Sequence, residues 1–95
     1  MFVVTLTYVA ELAEIDAAMG RHMTYLRKQY ADGVFLVSGR QIPRVGGIII
    51  AGGVSREDLD ARLALDPFVA EGLAEVAVVE FNPSQTAPAL KNLLR

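Results

Sequence analysis

With 95 residues, 53% of them hydrophobic and a formal net charge of -2, the chain has room for one domain and excludes disorder. Nine Lys and Arg, scattered along the chain against eleven Asp and Glu, exclude an electrostatic footprint for nucleic acid. Cysteine is absent, which removes disulfides, thiolate metal sites and cysteine nucleophiles.

In chain order, Phe2 to Val9 is a β-branched and aromatic run that predicts a strand. Glu11 to Asp32 predicts a helix, on which Leu12, Ile15, Met19, Met23, Leu26 and Tyr30 form an apolar stripe. Gly33 is placed to take the left-handed position that ends it. Val34 to Ser38 predicts a short buried strand, and Gly39 to Gly47, with Pro43, the connection that follows. Ile48-Ile49-Ile50-Ala51 has no polar face, the mark of a strand buried on both sides. Ser55 is an N-cap for a helix running to about Leu65, with Glu57 and Asp58 in its positive first turn. Asp66-Pro67 interrupts that helix. Glu75 to Asn82 predicts the last strand, Pro83 to Pro88 a linker, and Ala89 to Arg95 a short helix.

The order β-α-β-β-α-β makes this an α+β chain with the ferredoxin-like arrangement, an antiparallel sheet with both helices on one face. The domain is expected over residues 1–82, with residues 83–95 as a tail. Alternation in the last strand sends Val76 and Val78 one way and Ala77, Val79 and Phe81 the other. Two helices cover one face only. The second apolar face therefore calls for a second copy of the sheet, and a face-to-face homodimer, or a higher assembly of dimers, is expected. The longest charge-free apolar run, Val45 to Val54, is about half of what spans a bilayer, and no basic leader precedes Phe2-Val3-Val4. No membrane or nucleic-acid partner is expected, and the location expected is the cytoplasm.

His22 is the one histidine. Ile15, Met19, His22 and Leu26 fall at helical offsets, which puts the imidazole inside the apolar stripe. Leu59, Leu63 and Asp66 repeat the pattern on the second helix, so Asp66 continues its inward face toward His22. An aspartate on one ring nitrogen fixes the tautomer and leaves the other nitrogen as the base. Two other readings stay open: His22 as a core histidine bonded to a carbonyl, and Asp66 as an N-cap with Pro67 at the first helical position. The two roles of Asp66 are compatible, one carboxylate oxygen for each donor. Ser38-Gly39-Arg40 leaves a strand for a loop, where Arg40 is either a bidentate holder of an anionic substrate or a solvated turn residue. The pairs Gly46-Gly47 and Gly52-Gly53 do not match a phosphate-binding loop. One histidine and no clustered inward carboxylates make a poor metal site, so neither metal nor cofactor is expected.

The stretches RHMTYLRKQYADGVFLVSG and LALDPFVAEGLAEVAVVEF resemble the YciI-like (YCII-related) family. The matching pieces are His22, Gly33, Ser38-Gly39 and Asp66-Pro67-Phe68. The resemblance covers residues 1 to about 82, and Arg40 stands where the family often has proline. It implies a dimeric α/β barrel, a catalytic His22-Asp66 pair, and Ser38 beside the same pocket. It also implies elimination of the dehalogenation type or isomerisation. The expectation is a cofactor-independent acid/base enzyme for a small unsaturated or aromatic compound. His22 and Asp66 would be catalytic; Ser38 and Arg40 would orient polar groups, and Phe68 would form an apolar wall. The alternative is a small-molecule-binding or accessory module without turnover.

Overall fold

The β-branched run at the N-terminus forms β1 (Phe2–Tyr8), and its alternation buries Phe2, Val4 and Leu6 under the helices. After it come α1 (Leu12–Ala31), β2 (Phe35–Arg40), β3 (Gly46–Ala51), α2 (Arg56–Leu63), the one-turn helix α3 (Pro67–Ala70) and β4 (Ala74–Glu80). The structure, a computed structural model, describes residues 1–94. The strands form one antiparallel sheet in the order β2-β3-β1-β4, the ferredoxin-like topology. A 3-10 helix, Pro88–Leu94, stands where the last helix is expected; Arg95 lies outside the described residues.

Local chemistry accounts for the element ends. Gly33 closes α1 with a φ of 75°, a conformation that costs a side-chain-bearing residue strain and glycine nothing. The Ser55 hydroxyl accepts the Asp58 N–H at 3.0 Å and starts α2. That helix stops at Leu63, two residues short of the expected end, and the turn frees Asp66 to cap α3. At the start of β3, a Cβ on Gly46 would lie 1.8 Å from the Leu6 carbonyl oxygen, so the close β1–β3 pairing there admits only glycine.

Side-chain burial corrects three expectations. On α1 the buried row is Ile15, Ala18, His22, Leu26 and Gln29, whereas Leu12, Met23 and Tyr30 are exposed. The stripe is rotated because the helix turns its His22 edge, and not its Met23 edge, toward α3. β2 is not a buried strand. It is the edge of the sheet, with Phe35 inward while Val37 is 59% exposed. β3 is buried on one side: Ile49 faces the helices, and Ile48 and Ile50 are half-buried on the other face, which no element among the described residues covers.

Register sets what that open face carries. Val37, Ile50, Val3 and Val79 are paired neighbours across all four strands, and Ile48, Thr5 and Ala77 form the adjoining row. The face count is thus seen in the sheet: Val76 and Val78 turn inward and half-buried, Val79 outward and 63% exposed. No helix among the described residues is long and apolar enough to cross a membrane.

Candidate functional site

Asp66 is the anchor of the site. It is 0% exposed, and as the N-cap of α3 its Oδ1 accepts the Phe68 N–H at 2.9 Å, with Pro67 in the first turn. The same Oδ1 lies 2.8 Å from Nδ1 of His22, which is 8% exposed. A carboxylate oxygen that accepts from both partners makes Nδ1 the protonated nitrogen and leaves Nε2 with the lone pair. The capping and histidine-holding roles therefore coexist, but through one oxygen rather than two. Oδ2 is buried without a hydrogen-bond partner among the described residues. The reason is local: the Phe68 N–H is two residues along the chain, and the His22 ring lies against the Phe68 ring.

That ring stack is the second constraint on the imidazole. His22 and Phe68 lie nearly parallel, 7° apart with centroids 3.9 Å apart, and Phe68 is backed in turn by Tyr8, edge-on at 6.0 Å. The bond to Asp66 and the stack together leave the ring little freedom. The Tyr25 ring lies 6.4 Å from the imidazole, 30° from parallel, and donates its hydroxyl to the Arg62 carbonyl at 2.8 Å. Burial, reinforced by the Asp66 carboxylate, pushes the Tyr25 phenol up, so it stays a neutral donor.

In front of His22 lies a cavity of about 220 Å³ between α1 and the sheet. An engineered apolar cavity of roughly 150 Å³ holds benzene, so a substituted six-membered ring fits this one. Leu6, Met19, Met23, Leu26 and Ile49 supply apolar walls, and Ser38, Arg40 and His22 supply the polar groups. The structure thus brings His22, Ser38 and Arg40 to one cavity and places Asp66 behind His22. Phe68, expected as a wall, does not line the cavity; it is 2% exposed and backs the imidazole.

Several contributors go unread in the sequence. Gln29 is 3% exposed and accepts from Arg62 Nη1 at 2.9 Å, and the same nitrogen reaches Asp32 at 2.9 Å. This ties the C-terminal end of α1 to α2. The Tyr30 hydroxyl is hydrogen-bonded to Ser38 Oγ. The spacing of Met19, Met23 and Leu26 around His22 was the available signal for the walls. Tyr30 continues the same spacing, though its hydroxyl contact does not show in it, and nothing marks Gln29. Among the described residues no group of three or more His, Cys, Asp or Glu is placed to hold a metal ion.

Comparison with known proteins gives one family and a fold relative. The chain is similar in fold to 5-chloro-2-hydroxyhydroquinone dehydrochlorinase (TftG) from Burkholderia phenoliruptrix AC1100, solved in complex with 2,5-dihydroxybenzoquinone. The TM-score is 0.71 over 85% of this chain and 93% of that one, at 18% sequence identity, and the likeness is one of fold. No curated protein matches the chain in sequence. The model of the YCII-related domain matches residues 1–82, and the chain therefore belongs to the YCII-related family.

Proposed function

We propose that the chain is a cofactor-independent acid/base enzyme acting on a small hydroxylated aromatic or unsaturated ring, with elimination of a leaving group as its reaction. One observation carries this reading: the only histidine lines a ring-sized cavity while a buried carboxylate holds its Nδ1. Nε2 takes a proton from the keto tautomer of the substrate, in which the ring carbon bearing the leaving group is tetrahedral. The electron pair left behind forms a double bond as chloride, or another leaving group, departs with the electrons of its own bond. The proton then passes from Nε2 to water, so one proton and one anion are lost and no oxidant is needed. Asp66 keeps the ring in the required tautomer and stabilises the imidazolium. Arg40 and Ser38 hold the ring oxygens.

The fold relative supplies the first compound to try. Incubation with 5-chloro-2-hydroxyhydroquinone is expected to release chloride, and 2,5-dihydroxybenzoquinone is expected to bind in competition with it. Binding of the quinone with no chloride release would instead support a binding module without turnover. Isomerisation uses the same base and returns the proton to another carbon of the substrate.

The homodimer belongs to the same proposal. Its support is the uncovered row Val37, Ile50, Val3 and Val79, an apolar strip that crosses the whole sheet. A lysine at Val79 would put an unpaired charge on the β4 end of that strip. Light scattering of Val79→Lys is expected to give the chain mass where the parent gives twice that mass. A parent at the chain mass would defeat the pairing.

A further inference from the structure

Tyr30 has no role in the chemistry above, yet it touches a residue that has one. Met19, His22, Met23 and Leu26 run along the cavity side of α1, and Tyr30 is the next position on that edge, four residues past Leu26. Its ring meets Phe35 edge-on, 88° between planes and 6.3 Å between centroids, which aims the hydroxyl over β2. There it meets the Ser38 hydroxyl. Ser38 pairs with Ile49 on the helix-facing side of β2 and lines the cavity shared with His22.

Proton counting gives this pair a direction. A serine hydroxyl carries one proton and two lone pairs, and Tyr30 is the one side chain bonded to it among the described residues. A phenol is the stronger acid of the two, so the favoured polarity has Tyr30 donating and Ser38 accepting. The Ser38 proton is then left without a protein acceptor beside the cavity. A hydroxyl that accepts one bond becomes a better donor in the next.

We propose that Tyr30 and Ser38 form a two-hydroxyl relay that donates a hydrogen bond to the oxyanion of a bound phenol or enol ring, with Tyr30 as a positioning residue. The assignment rests on the reading of this cavity as the reaction site and names what it recognises: a ring oxygen carrying negative charge. Such charge develops on the substrate when His22 removes its proton, and a donor already aimed at it lowers the barrier to that step.

The test uses the full chain and 4-nitrophenol at a pH where the phenol is ionised, followed by its absorption band. The parent is expected to bind it with a shifted band. Ser38→Ala is expected to weaken binding about tenfold, as for a hydrogen bond to a charged group. Tyr30→Phe, which keeps the ring against Phe35, is expected to weaken it roughly three- to tenfold and to reduce the band shift. The double variant is expected to bind no more weakly than Ser38→Ala, because the relay acts as one unit. Ser38→Thr, which keeps a hydroxyl, is expected to retain both the binding and its dependence on Tyr30. Binding by Tyr30→Phe equal to the parent, multiplied losses in the double variant, or no binding by the parent would each overturn the relay. The chloride-release assay is separate: a parent that releases chloride while Tyr30→Phe matches it defeats the relay alone.

Discussion

Asp66→Asn is expected to fold like the parent and to lose turnover by about 10²- to 10⁴-fold, the range for removing an oriented acid/base partner. The amide oxygen still accepts the Phe68 N–H, so the start of α3 survives. It carries no charge to stabilise an imidazolium, and the amide NH₂ takes the place of the unpartnered Oδ2. The rate loss should therefore appear in kcat with circular dichroism unchanged. Asp66→Ala separates the two jobs of the side chain. It leaves the buried Phe68 N–H and the His22 ring N–H without acceptors, and a cost of about 2–4 kcal/mol is expected in chemical denaturation. An Asn variant turning over at the parent rate would remove Asp66 from the mechanism and leave it a helix cap.

Phe68→Ala is expected to be the more damaging change for the fold. The side chain is 2% exposed and packs against the His22 and Tyr8 rings, so truncation opens a cavity beneath the imidazole. Phe-to-Ala changes in cores cost about 3–5 kcal/mol. For a domain of this size that corresponds to a melting temperature lower by roughly 15–25 °C. Phe68→Leu fills most of the volume without the flat surface for the ring stack, and it should regain most of the lost stability. If packing alone matters for His22, the Leu variant also regains full turnover. Partial turnover in a stable Leu variant is the expected outcome, because the ring is then held by Asp66 only. A fall of a few degrees in Phe68→Ala would show that the site does not depend on this packing.

The topology was legible because each element carried its own period and punctuation. Alternation marked β1 and β4, Gly33 ended α1, and Ser55 and Asp66 announced their caps before any tertiary contact was known. The His22–Asp66 pairing was expected from helical offsets, yet Asp66 reaches the imidazole from beyond the end of α2, as the N-cap of α3. What local pattern does not carry is rotation and coverage. A shift of α1 by part of a turn exchanges Met23 for Gln29 as a buried residue, and the apolar count of the helix is nearly blind to it. The exposure of Val37 depends on β2 lying at the edge of the sheet, a property of strand order and not of the segment. Contacts such as Tyr30 with Ser38, or Arg62 with Gln29, follow from how those elements settle together, and polar residues of these types sit on many surfaces.

The cavity holds a single imidazole, and its Nδ1 is already committed to Asp66. The other side chains lining it are apolar, a serine hydroxyl and an arginine guanidinium, and none of these is a base. Under the proposed chemistry, then, the atom that removes a hydrogen and the atom that gives one back are the same nitrogen, on one side of the bound ring. A rearrangement there would be suprafacial and would carry an isotopic label from donor carbon to acceptor carbon within one molecule. An elimination would surrender the label to solvent. One histidine, held by one carboxylate oxygen, thus ties the two possible outcomes to opposite fates of a single deuterium.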